Sequence, residues 1–74
     1  MDREHVKREL ESLFNLPANS LTEDLLLQDI AAWDSVTMLG VISLADEING
    51  RDLVPADFNN IHTVSDIITL ILGR

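Results

Sequence analysis

An all-α fold is what these 74 residues predict: a four-helix bundle of three main helices plus a short third helix, with a long loop between helices one and two. Two observations carry that expectation. Apolar residues recur at three- and four-residue spacings in three separate stretches, and residues suited to helix caps stand just before each. The length adds a third, since 74 residues make one domain, 1–74, and no more.

The first helix is expected from Arg3 to about Phe14, where Val6, Leu10, Leu13 and Phe14 share one face. Asp2 serves as its cap, Met1 and Val6 form a hydrophobic staple around that cap, and Pro17 forbids much continuation. Asn15 to Trp33 then form a long connection, ordered because Leu21, Leu26, Leu27 and Ile30 pin it to the core. Within it, "SLTE" suits a short helical turn starting at Ser20.

The middle helix spans Ser35 to about Ile48. At about 100° per residue, Met38, Val41, Ile42, Leu44, Ala45 and Ile48 gather on one broad arc, interrupted by Thr37 and Asn49. Val36, Leu39, Gly40, Ser43, Asp46 and Glu47 occupy the opposite arc, which is only half polar. Between Arg51 and His62, Pro55 opens a short helical turn that points Phe58 inward. Thr63 caps the last helix with Asp66 three residues on, an Asp variant of the capping box. Val64, Ile67, Ile68 and Ile71 make its apolar stripe, and Gly73 stops it.

Composition narrows the function. An enzyme pocket encloses roughly 300 Å³ or more, which a core this small can hardly wrap, so a carrying, binding or scaffolding role is expected over catalysis. The formal net charge of −8 repels phosphate backbones and argues against nucleic-acid partners. It suits basic partners, or a protein that stays a monomer by repelling its own copies. No cysteine is present, so neither disulfides nor thiolate zinc sites are available. "VSDIITLILG" is too short to span a bilayer and contains Asp66, which excludes membrane insertion there. "MDREHVKREL" is charged where a secretion signal is apolar, so the cytoplasm is the expected location. "DEINGRD" lacks the alternating carboxylates of a calcium loop, and no metal site is expected.

The chemistry concentrates in "AAWDSVTMLG", residues 31–40. With Asp34 as the N-cap of the middle helix, Trp33 and Met38 take the staple positions and Ser35 becomes the first helical residue. Its hydroxyl is then uncommitted at the positive end of the helix, where a phosphate ester meets free N–H groups. Asp34 would repel that phosphate. The plainer reading is that an Asp-Ser pair at a helix start is simply a cap. A nucleophilic enzyme serine fits less well, because no G-x-S-x-G elbow occurs and His5 and His62 lie in a charged helix and a capping segment.

Asp34-Ser35 followed by an apolar residue, at the start of the second helix of a small acidic bundle, resembles the acyl carrier protein family. "LLLQDIAAWDSV" is similar to the family's loop and attachment motif, "LVPADF" to its short third helix and "HTVSDII" to its fourth, in the family's order over almost the whole chain. The resemblance implies a four-helix bundle of carrier-protein type with no catalysis of its own. It implies that Ser35 carries a 4′-phosphopantetheine cofactor, added from coenzyme A by a phosphopantetheinyl transferase. The arm's thiol would hold an acyl or aminoacyl group as a thioester for separate loading and transfer enzymes, which also accounts for a chain without cysteine. In the family those enzymes meet the face beside the serine; here that partner-binding face is Asp34, Val36, Leu39, Gly40 and Ser43, with Asp46 and Glu47 as an acidic rim.

Carriers of primary fatty-acid synthesis place several acids directly after the serine and a small residue before the motif. This chain has Val36, Thr37 and Gly40 in those places and Trp33 before them, which favours a specialised lipid, polyketide, saccharide or aminoacyl pathway. Met1 favours a stand-alone carrier over a module of a larger synthase. The rival reading is a small acidic helical interaction module that takes no cofactor.

Overall fold

Three α-helices and two single turns of 3-10 helix make up the computed structural model, which describes residues 2–73. Helix α1 runs Arg3–Leu13, α2 Ser35–Asn49 and α3 Val64–Leu72. The all-α class holds among the described residues, where the only extended pairing is an isolated antiparallel bridge between Leu26 and Thr63. The short third helix expected between Arg51 and His62 is a single 3-10 turn, Pro55–Phe58. Proline opens it, the Asp57 carboxylate accepts from the Val54 N–H at 2.9 Å, and Phe58 is buried as its spacing required.

Each α-helix starts on the residue its sequence marks. The Asp2 carboxylate accepts from the His5 N–H at 2.8 Å, while the expected staple partner Met1 lies outside the described residues. Thr63 and Asp66 form the reciprocal box: Thr63 Oγ1 accepts from the Asp66 N–H at 3.2 Å, and the Asp66 carboxylate accepts from the Thr63 N–H at 3.1 Å. It also accepts from the His62 N–H at 2.8 Å, and these two backbone donors hold its carboxyl below the usual carboxylate range. Gly73 ends α3 at φ 81°, a left-handed conformation that glycine adopts without steric cost.

The core lies where the apolar faces meet. Val6 and Leu10 of α1, Val41 and Ala45 of α2, and Val64, Ile67, Ile68 and Ile71 of α3 have no exposed surface. Met38, Ile42, Leu44 and Ile48 of α2 are half-buried against them, as is Leu13 of α1. Asn49 closes the far end of the bundle by donating to the Ile71 and Leu72 carbonyls of α3, both at 3.3 Å.

Residues 15–33 are ordered by both kinds of contact available to a loop. Leu21, Leu27 and Ile30 are buried as expected, but Leu26 stays 38% exposed. The backbone on either side of it is what is held, in the bridge to Thr63: Leu27 N–H donates to the His62 carbonyl at 2.8 Å and Val64 N–H to the Leu25 carbonyl at 3.0 Å. The helical turn forms at Leu27–Asp29 rather than at Ser20. Ser20 instead closes a turn with Pro17, donating its hydroxyl to that carbonyl at 2.6 Å. Glu11, a buried acid on α1, accepts the Leu21 N–H at 3.1 Å and ties the loop to the helix. Arg3 reaches across from α1 to Glu23, at 2.7 Å, and to the Ser65 hydroxyl at 3.0 Å.

Candidate functional site

Trp33 fixes the approach to α2. Its half-buried ring meets Phe14 edge-on, with centroids 6.0 Å apart and planes at 89°, and meets Phe58 at 6.1 Å. These three aromatics join the end of α1, the start of α2 and the Pro55–Phe58 turn through contacts of the kind that favour offset or edge-to-face geometry. The sequence signalled Trp33 only as a staple residue. Its role as the link between three segments comes from tertiary packing.

Directly after it, Asp34 is the N-cap. Its carboxylate accepts from the Thr37 N–H at 2.9 Å, and its own N–H donates to Thr37 Oγ1 at 2.9 Å. The Thr37 hydroxyl donates to the Ala32 carbonyl at 3.0 Å. Thr37 therefore breaks the apolar arc of α2 for a reason: it is the third-position partner of a capping box. The signal was present as Asp-x-x-Thr, the same reciprocal logic as Thr-x-x-Asp with the residue types exchanged. Ser35 is left as the first helical residue, exposed, with no side-chain hydrogen bond engaging its hydroxyl among the described residues.

No family model, curated protein or solved structure matches this chain. The site must stand on its own geometry. Val36, Gly40, Ser43 and Glu47 follow one another at spacings of four, three and four, so they line one stripe that starts beside Ser35. Leu39 and Asp46 flank that stripe. Val36 is 73% exposed and Leu39 58%, and Asp34, Ser43, Asp46 and Glu47 are exposed as well.

Gly40 is half-buried, and it has a partner inside the protein. A Cβ at Gly40 would come within 2.6 Å of Leu13 Cδ1 across the α1–α2 contact. Glycine at this position lets the Leu13 side chain rest against α2, a reason for it that no single-helix projection reveals.

Other chemistry is sparse. His5 Nε2 lies 3.5 Å from Glu9 on its own helix, and the backbone of exposed His62 serves Asp66, so neither imidazole is organised as a base for Ser35. Among the described residues no group of three His, Cys, Asp or Glu is placed to hold a metal ion, and no helix is long and apolar enough to cross a membrane.

Proposed function

We propose that this chain is a carrier protein of the acyl carrier type, with 4′-phosphopantetheine attached to Ser35. The single observation that carries the proposal is the division of labour at the start of α2. Asp34 and Thr37 satisfy each other as the cap, so the exposed Ser35 hydroxyl is spared any structural duty. A phosphodiester on that oxygen fits the site, because the first N–H groups of a fifteen-residue helix lie beside it and favour negative charge. Asp34 opposes it electrostatically, while its carboxylate stays engaged with Thr37.

When bound, the group supplies a terminal thiol that holds acyl or aminoacyl cargo as a thioester. The chain's own residues do the rest. Trp33, clamped between Phe14 and Phe58, fixes the direction in which α2 leaves the loop and so orients Ser35. Val36 and Leu39 offer apolar contact to the transferase and to the loading and transfer enzymes, with Asp46 and Glu47 as an acidic rim. On this reading the Pro55–Phe58 turn takes the place of the family's short third helix and completes a four-helix bundle of carrier type. The pathway is a specialised one, since Val36, Thr37 and Gly40 after Ser35 are uncharged where a general fatty-acid carrier is acidic. The work is done in the cytoplasm by a monomer.

The test is intact mass after incubation with coenzyme A and a broad-specificity phosphopantetheinyl transferase. A gain of one phosphopantetheine on the natural chain, absent from Ser35→Ala, is the expected result. Equal modification of the variant would end the assignment of Ser35, and repeated failure of the natural chain would favour a cofactor-free interaction module.

A further inference from the structure

The partner face proposed above lies on α2 alone, yet the contact between α1 and α2 leaves a groove of about 310 Å³ along one edge of it. Its floor is apolar and low, made by Leu13, Leu44 and the bare backbone of Gly40. One wall carries Glu9 and Ser12 of α1, and the other Ser43 and Glu47 of α2. Among the described residues no lysine or arginine lines it, and the chain as a whole carries −8. We infer that this groove is a subsite for one arginine side chain of a protein partner, lying between Glu9 and Glu47 with its aliphatic stem on Leu13, Gly40 and Leu44. The inference rests on the reading above only for the identity of the protein that brings the arginine.

The chemistry selects the occupant. An apolar floor between two carboxylates suits a group with a hydrocarbon stem and a cationic head, the shape of a lysine or arginine side chain. Arginine is the better match, because its weakly hydrated planar head presents five donors to a rim that carries two carboxylates and two serine hydroxyls. An ammonium concentrates its charge at one point and holds its water more strongly. Shape and charge are set by different residues, which makes them separable. Glu9 and Glu47 supply the attraction, while Gly40 and Leu13 set the depth, since a Cβ at Gly40 would displace Leu13 Cδ1. His5 Nε2 lies 3.5 Å from Glu9 on the same helix, so an arriving cation would share that carboxylate with the imidazole.

The probe is n-butylguanidinium, titrated into the uniformly ¹⁵N-labelled full chain, with guanidinium chloride and n-butylammonium as comparison ligands. Saturable shifts of the Ser12, Gly40, Ser43 and Glu47 amides are expected with n-butylguanidinium, and weaker ones with either comparison ligand. Glu9→Gln and Glu47→Gln should each weaken binding by roughly two- to fivefold, the range of an exposed ion pair. Gly40→Ala, which leaves every charge in place, should weaken it through the floor, whereas Glu4→Gln on the same helix should not. Thermal melts of each variant show whether the fold is kept. The titration is repeated on Ser35→Ala, where an unchanged result separates the groove from the attachment site. Shifts spread evenly over the acidic surface, equal binding of n-butylammonium, or Glu9→Gln and Glu47→Gln variants that bind as the natural chain does would each overturn the inference.

Discussion

Replacing Ser35, Asp34 and Thr37 one at a time separates the residue available for attachment from the residues that hold the helix. Asp34→Ala removes the acceptor for the Thr37 N–H, a bond of 2.9 Å at the N-cap. Loss of such a cap costs about 1 kcal/mol, within a range of roughly 0.5–2. In a domain of this size, about 1 kcal/mol lowers the melting temperature by roughly 4–8 °C. Thr37→Val keeps the shape but removes the oxygen that accepts from the Asp34 N–H at 2.9 Å and faces the Ala32 carbonyl at 3.0 Å. These groups are near solvent, so water replaces part of the loss, and a cost of about 1 kcal/mol is again expected. Ser35→Ala removes no hydrogen bond and places the best helix former at the first helical position, a gain of at most a few tenths of a kcal/mol. The expected order of melting temperatures by far-UV circular dichroism is Ser35→Ala level with the natural chain or slightly above it, and the other two well below. A Ser35→Ala protein that melts as early as Asp34→Ala would show that Ser35 is the structural cap, and the argument for a free attachment oxygen would fail.

Salt should stabilise the chain: with a net charge of −8, screening relieves self-repulsion, so the melting temperature near neutral pH should rise from low to moderate ionic strength, and a flat or falling curve would mean that ion pairs dominate. Acid should destabilise it through Glu23 and Asp66, whose carboxyls are held below their ordinary values of 4.5 and 3.8 by the Arg3 side chain and by the His62 and Thr63 N–H groups respectively. Their contribution is full above those ordinary values and disappears as pH falls through the lower folded ones, so Glu23→Gln should flatten the acid limb of a stability–pH profile and leave its shape above about pH 6 unchanged. Gly40→Ala should gain much less than the roughly 1 kcal/mol usual for a helix interior, whereas in a Leu13→Ala background it should gain most of it; equal gains in denaturant titrations of both backgrounds would remove Leu13 as the reason for the glycine. Leu39→Asp should fold normally yet slow loading or transfer by the native partner enzyme, and wild-type rates would place the recognition surface elsewhere.

Local signals in the sequence carried the fold a long way because they were local in the structure too. Asp2, Asp34 and Thr63 cap their helices, and the stripe Val64, Ile67, Ile68 and Ile71 is wholly buried, since neighbours within a turn or two of the same helix specify each. Residues 15–33 were harder, because non-local partners decide their conformation. Leu26 looks like any core leucine in sequence, but the pairing of its neighbours with His62 and Val64 turns its side chain outward. Glu11 looks like any solvated acid on α1 until the Leu21 N–H arrives from ten residues away to need an acceptor.

Gly40 shows where a one-helix projection stops. On the wheel it falls among exposed residues, where a glycine weakens the helix with no packing partner in view. In the fold, α1 comes close enough that Leu13 fills the space a side chain would have taken. The internal reason does not remove the external one. With no Cβ at Gly40, Leu13 packs directly against the α2 backbone, and these two residues line the groove that Glu9 and Glu47 also line. A larger residue would push Leu13 outward into the same space a partner side chain would use. Packing between α1 and α2 and access to the face beside Ser35 are therefore set by one absent methyl group, and the Leu13 and Gly40 double-mutant cycle, read for both stability and n-butylguanidinium binding, measures the two consequences separately.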